Sequence, residues 1–259
     1  MLILLPPSEG KTEPERGAKY SPSSLGYPGL RKTRTAVMQA LVELCSGDAD
    51  RAVAVLGLGP RQRDLVAGNA QLRKAAAGPA IDVYTGVLYE ALDFASLSSA
   101  AKKRADSRVA IASALFGLVR PSDPIPTYRL SGNTTLPGIG TLASVWKEPM
   151  QRELGGTRGP ILDLRSGAYV ALGPVPASAA DRTFIARVLL EKNGKRSVVS
   201  HHNKATKGLI TRAVLERGSV PRSAKAVPGF LEDLGFPCEV REPKKDDDPL
   251  GLDIILYQT

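Results

Sequence analysis

Two lysines carry the sharpest chemical expectation in this chain. Lys11 closes the turn-like run Ser8-Glu9-Gly10-Lys11 just after an apolar opening segment, and Lys204 stands at the head of a predicted helix. An amine desolvated in a cleft gives up its proton near neutral pH. It can then attack a sugar carbon to form a Schiff base, while a carboxylate stabilises the developing positive charge. Asp123 and Asp163 are the candidate carboxylates. Lys204, Lys11 and Asp123 therefore form a candidate catalytic set for a lyase or N-glycosidase acting on a nucleoside, nucleotide or damaged base. The run Gly10-Lys11-Thr12 also suggests a P-loop, but that motif needs a glycine five positions before Gly10, where Leu5 stands.

A second chemistry is electrostatic. Residues 54–70, AVLGLGPRQRDLVAGNA, have the shape of a helix-hairpin-helix: an apolar helix end, a glycine hairpin and an arginine-bearing second helix. Gly57 and Gly59 permit positive φ and let backbone N–H groups approach a phosphate, and Arg61 and Arg63 add charge. The run LPGIGTLA at 136–143 has the same local pattern, but the SGNTT before it is turn-like rather than helical. Residues 192–225 hold nine Lys or Arg against a single acid, Glu216, and so carry nearly all of the net charge of +9. A helix starting at Asn203 would place Lys204 and Lys207 in its first turns, with Arg212 further along. Cations there oppose the helix dipole at a cost of some tenths of a kcal/mol, which points to function.

The remaining candidates lie on loops. Arg120 and Arg129 bracket RPSDPIPTYRL, with Asp123 and Tyr128 between them, and Tyr84, Asp163 and Tyr169 stand at predicted strand ends. Together they would make a polar, arginine-lined cleft. His201 and His202 are the chain's two histidines, and as neighbours at a strand end they face opposite sides. They suit a proton donor or a base contact better than a metal. Cys45 and Cys238 form no CxxC pattern and read as core thiols, and no GxSxG elbow occurs, so neither metal nor cofactor is implied.

The elements that must position these groups are mixed. Residues 1–5 read as a central strand, 6–29 as a long loop with five prolines and four glycines, and 30–45 as a helix. A helical pair follows over 49–77. Strands at 81–84 and 108–116 flank a helical stretch at 86–105, and Trp146 lies in a helix at 141–154. Strands at 160–164 and 183–191 precede the hairpin signal Asn193-Gly194, whose second strand is RSVVSHH. Asn203 caps a helix that Gly218 ends, and a helix at 222–234 leads to strands at 238–242 and 252–257. The expected class is α/β or mixed α+β, in one domain over 1–259.

The chain's 35 Lys and Arg against 26 Asp and Glu draw polyanions, and DNA is the expected partner, with a nucleoside or nucleotide as the small-molecule alternative. No apolar run approaches the ~18 to 20 residues that span a bilayer, and residues 1–5 lack the features of a signal peptide, so a cytoplasmic protein without a membrane partner is expected. A purely structural module would leave the basic cluster and the polar loops without a role.

Taken in order, LILLPPSEGKT, DVYTG, ALFGLVRPSDPIPTYRL, the helix bearing Trp146, ILDLRSGAY and EKNGKRSVVSHHNKATKGLITRAV resemble the YaaA family of bacterial peroxide-stress proteins. The resemblance implies a single mixed α/β domain with a helix-hairpin-helix element in a positive cleft. It also implies binding of double- and single-stranded DNA and a role in limiting iron-driven damage under hydrogen peroxide. By position, Lys11, Tyr84, Arg120, Asp123, Tyr128, Arg129, Tyr169 and Lys204 match recurrent polar positions of the family. Two departures fall in the implied cleft. His201-His202 replace an aromatic pair, and Ser131-Gly132-Asn133 replace the acidic residue that commonly follows YRL, so the ligand is expected to differ.

Overall fold

Leu2–Leu5 form β1, and all four side chains are buried near the centre of the main sheet, which explains the absence of polar alternation in this segment. The computed structural model describes residues 1–14, 17–198, 200–243 and 245–257, with the backbone alone for residues 200–202. After β1 come α1 (Arg31–Ser46), α2 (Ala49–Leu56), α3 (Asp64–Ala70), β2 (Gly78–Pro79), α4 (Ala80–Val83), α5 (Val87–Leu92) and α6 (Ser99–Arg108). The middle of the chain gives β3 (Val109–Ser113), β4 (Gly117–Val119), β5 (Pro124–Ile125), β6 (Thr135–Leu136), β7 (Gly140–Thr141), α7 (Leu142–Gly155), β8 (Ile161–Asp163) and α8 (Gly167–Leu172). The last part is β9 (Thr183–Lys192), β10 (Lys195–Val198), α9 (Ser200–Arg217), α10 (Val227–Asp233), β11 (Cys238–Arg241) and β12 (Leu250–Tyr257).

The main sheet runs β11-β12-β9-β8-β1-β3-β4, with β10 hairpinned onto β9. Its five central strands, β12, β9, β8, β1 and β3, are parallel, and β4, β10 and β11 are antiparallel additions. Register is fixed by Ile3 opposite Val109 on one side and Leu162 on the other. Because the central strands share one direction, the segments that follow β1, β3 and β8 meet at one pole, where sites of α/β sheets gather. The segments that precede them meet at the opposite pole.

Helix packing fixes the frame. α1 buries Val37, Leu41 and Leu44, which recur every three to four residues and so share one face of the helix expected at 30–45. Arg34 on the same helix is 1% exposed and threads inward to donate to Phe116 O at 2.8 Å and Leu118 O at 2.6 Å. Trp146 on α7 is fully buried, and its Nε1 donates to Ala114 O at 2.8 Å. α5 and α9 cross so closely that a Cβ on Gly208 would stand 2.2 Å from Leu88 O.

Several local expectations are corrected. Residues 81–84 lie in and just after the short helix α4 rather than in a strand, since a four-residue apolar run reads equally well either way. The stretch 86–105 is two helices, broken by Asp93 in the left-handed region (φ 44°), with Ser98 capping α6 through Ala101 N. β3 stops at Ser113 and turns through Gly117 (φ 74°) into β4. The glycine pattern at 136–143 joins β6 and β7 through Gly138 (φ 79°). Asn193 (φ 51°) and Gly194 (φ 73°) do make the hairpin turn, but β10 ends at Val198 and α9 starts at Ser200. Asn203 therefore lies inside the helix rather than capping it. His201 and His202 are helical in backbone, and their side chains fall outside the described residues. Among the described residues no helix is long and apolar enough to cross a membrane.

Candidate functional site

The loop after β1 is stitched onto the segment after α4. Thr85 N donates to Ser8 Oγ at 2.9 Å, Thr12 N donates to Val83 O at 2.9 Å, and Lys11 bridges Tyr84 through its backbone. This pairing fixes the backbone of Lys11 and turns its side chain back over the loop. Its Nζ donates to Ser8 O at 2.9 Å and Glu9 O at 3.3 Å, and lies 4.5 Å from the ring centroid of Tyr128 and 5.6 Å from that of Tyr84. The aromatic faces favour the cation, but burial and the charge of Arg129 outweigh them and the pull of Glu9, lowering the amine's pKa to about 8. A fraction of Lys11 is thus a free amine near neutral pH.

Beneath Lys11 runs a chain of buried hydroxyls. Tyr128 OH lies 2.9 Å from Tyr84 OH and 2.8 Å from Ser113 Oγ, and Ser113 Oγ accepts Phe116 N–H at 3.0 Å. Tyr89 stacks on Tyr84 with centroids 5.6 Å apart and donates to Pro6 O at 2.8 Å. Burial holds Tyr84, Tyr89 and Tyr128 well above the ordinary phenol range, so they act as neutral donors. Tyr169 is half-buried, and its pKa is likewise raised by burial, against the opposing hydrogen bond from the Gly132 backbone. Ser113, a lone hydroxyl in the apolar run AIASALF, was not singled out from the sequence, although its isolation there was a readable signal.

Lys11 opens into a cavity of about 530 Å³. One wall comes from the segment after the 57–59 turn, with Gln62, Asp64, Leu65, Gly68 and Asn69, and the other from Glu9, Lys11, Tyr128 and Arg129. Its charge is mixed: Glu9, Glu13 and Asp64 face Lys11 and Arg129, and Arg129 pairs with Glu9 at 2.9 Å. A second cavity of about 520 Å³ is lined by Ala54, Leu56 and Gly57 opposite Ser131, Asn133 and Thr134, and Arg129 lines both cavities. Gly57 has φ 62° and ends α2, whereas Gly59 has ordinary φ and its N–H donates to Gln62 Oε1 at 3.2 Å. Arg61 and Arg63 are exposed on the turn, with Arg63 paired to Asp50. Asn69, buried in the last turn of α3, was also missed from the sequence; an asparagine within a predicted helix, where its propensity is poor, was its only signal.

Other candidate residues lie apart from Lys11. Both carboxylate oxygens of Asp123 share the Gly26 N–H at 3.0 Å and one accepts Arg120 N–H at 2.9 Å, clasping the 20–29 loop to the loop after β4. Burial raises its pKa, and these N–H groups oppose that shift. Arg120 is exposed, with its guanidinium 5.8 Å from the Tyr27 ring. Asp163 is fully buried in a bidentate pair with Arg165, at 2.9 and 2.7 Å. Lys207 is buried rather than offered to solvent, and burial pulls its amine down against the opposing charge of Asp163. Arg212 is spent on Leu92 O, Asp93 and Ser96, holding α9 to α5. Lys204 is exposed on α9.

The sequence profile of the family described as peroxide stress protein YaaA matches residues 1–237. A UPF0246 protein of Streptomyces coelicolor is 46% identical over 260 residues, covering 100% of this chain and 99% of the relative. A UPF0246 protein of Corynebacterium efficiens is 40% identical over 95% of this chain and 98% of its own length, and one of Corynebacterium glutamicum is 36% identical with the same coverage. Matched along nearly its whole length, the chain belongs to the family of the peroxide stress protein YaaA.

Proposed function

We propose that this protein binds double- and single-stranded DNA in the groove beside the 57–63 turn and thereby protects it during peroxide stress. The observation that carries this is the meeting of two cavities at Arg129, one under Gly57 and one over Lys11, flanked by the exposed Arg61 and Arg63. Two concavities that share Arg129 as a wall suit an extended strand better than a compact ligand. Backbone phosphates would meet the arginines of the turn, while an unpaired base could enter beside Lys11 and Tyr128. Fluorescence anisotropy with duplex and single-stranded DNA at several salt concentrations tests this. Each neutralised phosphate gives a slope of about −0.9 in log K against log salt for duplex, and Arg61→Gln with Arg63→Gln should flatten it by one to two such steps. Binding indifferent to salt overturns it.

Lys11 favours a second activity in the same groove, a lysine-dependent lyase. Its free amine would add to the aldehyde carbon of a ring-opened abasic sugar, releasing water to give an imine. Loss of the sugar C2 proton then expels the 3′-phosphate as a C2–C3 double bond forms, and water hydrolyses the conjugated imine to return the lysine and an unsaturated aldehyde. Borohydride reduction of that imine should trap a protein–DNA adduct that Lys11→Ala abolishes and Lys204→Ala retains. An adduct surviving Lys11→Ala removes this reading and leaves DNA binding untouched.

A further inference from the structure

The pole opposite Lys11 holds a concavity with one sign of charge. Arg108 immediately precedes β3, Arg158 lies in the turn that enters β8, and Arg222 follows α9. The parallel strands bring the first two to the same end of the sheet, and α9 delivers the third. Together with Gly159 and Ser219 they line a cavity of about 540 Å³ that has no carboxylate among its lining residues.

The cations here are poorly compensated. No carboxylate of a described residue lies within 4.0 Å of Arg108, Arg158 or Arg222, whereas Arg63 and Arg129 beside the main groove and Arg187, Arg196 and Arg241 on β9 to β11 are each paired. Arg108 donates one N–H to Gly218 O at 2.6 Å, and Arg104 caps Leu215 O at 2.8 Å, so both guanidiniums sit at the C-terminal end of α9. That end of a helix attracts cations and explains Arg104 and Arg108. It does not explain Arg158 and Arg222, which are exposed and face the same space.

We propose that this cavity is a second anion site, built for two or more linked phosphate groups. Each guanidinium offers five N–H donors in a planar fork suited to phosphate oxygens. A single carboxylate could not balance three of them, while a run of linked phosphates, each carrying at least one negative charge, can. The site stands on different residues from the Lys11 groove and does not depend on DNA binding there. The phosphates could come from a free oligophosphate or from a nucleic-acid backbone.

The test is calorimetric titration of the full chain with inorganic pyrophosphate, on the wild type, on Arg158→Gln with Arg222→Gln, and on Arg61→Gln with Arg63→Gln. Arg158 and Arg222 are exposed, so their variant should fold, and circular dichroism checks that it does. Pyrophosphate should bind the wild type and the Arg61/Arg63 variant alike and bind the Arg158/Arg222 variant at least tenfold more weakly. A short duplex that displaces pyrophosphate from the Arg61/Arg63 variant identifies a nucleic-acid backbone as the source. Failure of the duplex to do so identifies a free oligophosphate. No binding by the wild type, or equal binding by the Arg158/Arg222 variant, overturns the site, and neither result bears on the DNA groove.

Discussion

Asn69 on α3 holds the backbone of Arg129 from both sides, accepting its N–H at 2.9 Å and donating to its C=O at 2.8 Å. One buried amide thus imitates a strand pairing between the helical segment and the loop that carries Tyr128 and Arg129. Because Arg129 lines both cavities, this clamp sets the width of the groove.

Replacing Asn69 by Ala should therefore do two things. It strands a buried N–H and a buried C=O, which costs on the order of 2 to 3 kcal/mol. It also frees the 127–131 loop, so DNA affinity should fall although no phosphate contact has been removed. Urea unfolding reads the first effect and anisotropy at one salt concentration reads the second. A variant that loses stability but keeps full affinity would show that the clamp serves folding alone.

The lowered pKa of Lys11 has a consequence for stability, with a definite sign. The amine titrates near 8 in the folded protein and at the ordinary 10.5 when unfolded. Between those values the unfolded chain binds more protons, so the contribution of Lys11 to stability rises with pH across that window. Below pH 8 both states are protonated and the full cost of holding a half-buried cation is present. The stability of the wild type minus that of Lys11→Met should be lower at pH 7 than at pH 10, as measured by urea midpoints at the two values. A pH-independent difference would mean that the amine is solvated as in free lysine.

The sheet was legible in the sequence where apolar runs were long or uniformly buried. Leu2–Leu5, Thr183–Lys192 and Leu250–Tyr257 announce themselves because parallel central strands need no polar face. Length alone does not decide: Leu2–Leu5 and Ile161–Asp163 are the strands expected, but residues 81–84 lie in and just after the helix Ala80–Val83, since four residues span about one turn and carry no usable period. The site was legible in part for a similar reason. Lys11, Tyr84 and Tyr128 stand at element ends, where chemistry concentrates, and the structure brings them together. Charge counting misled for Lys207 and Arg212, because a basic run in sequence says nothing about which cations turn inward. Lys207 is buried near Asp163, and Arg212 is consumed by carbonyls at the end of α5.

Gly208 shows how tightly α9 must dock for any of this to hold. A Cβ at that position would sit 2.2 Å from Leu88 O, 2.9 Å from Leu92 N and 3.0 Å from Ala91 Cβ, so α5 and α9 would have to move apart along their backbones. Overpacking of this kind costs about 1 to 3 kcal/mol, and here the two nearest obstructing atoms are main chain and none of the three has a rotamer to yield. Gly208→Ala should lower Tm by several degrees. It should also loosen Arg212 from Asp93 and Ser96, which slower chemistry at Lys11 would not reveal but faster amide exchange over α5 would. Gly229→Ala in α10 is the matched control: its Cβ would meet nothing within 4 Å, and the gain in helix propensity should leave Tm unchanged or raised. Equal Tm shifts for the two alanines would mean that the α5–α9 contact is looser than the Gly208 geometry requires.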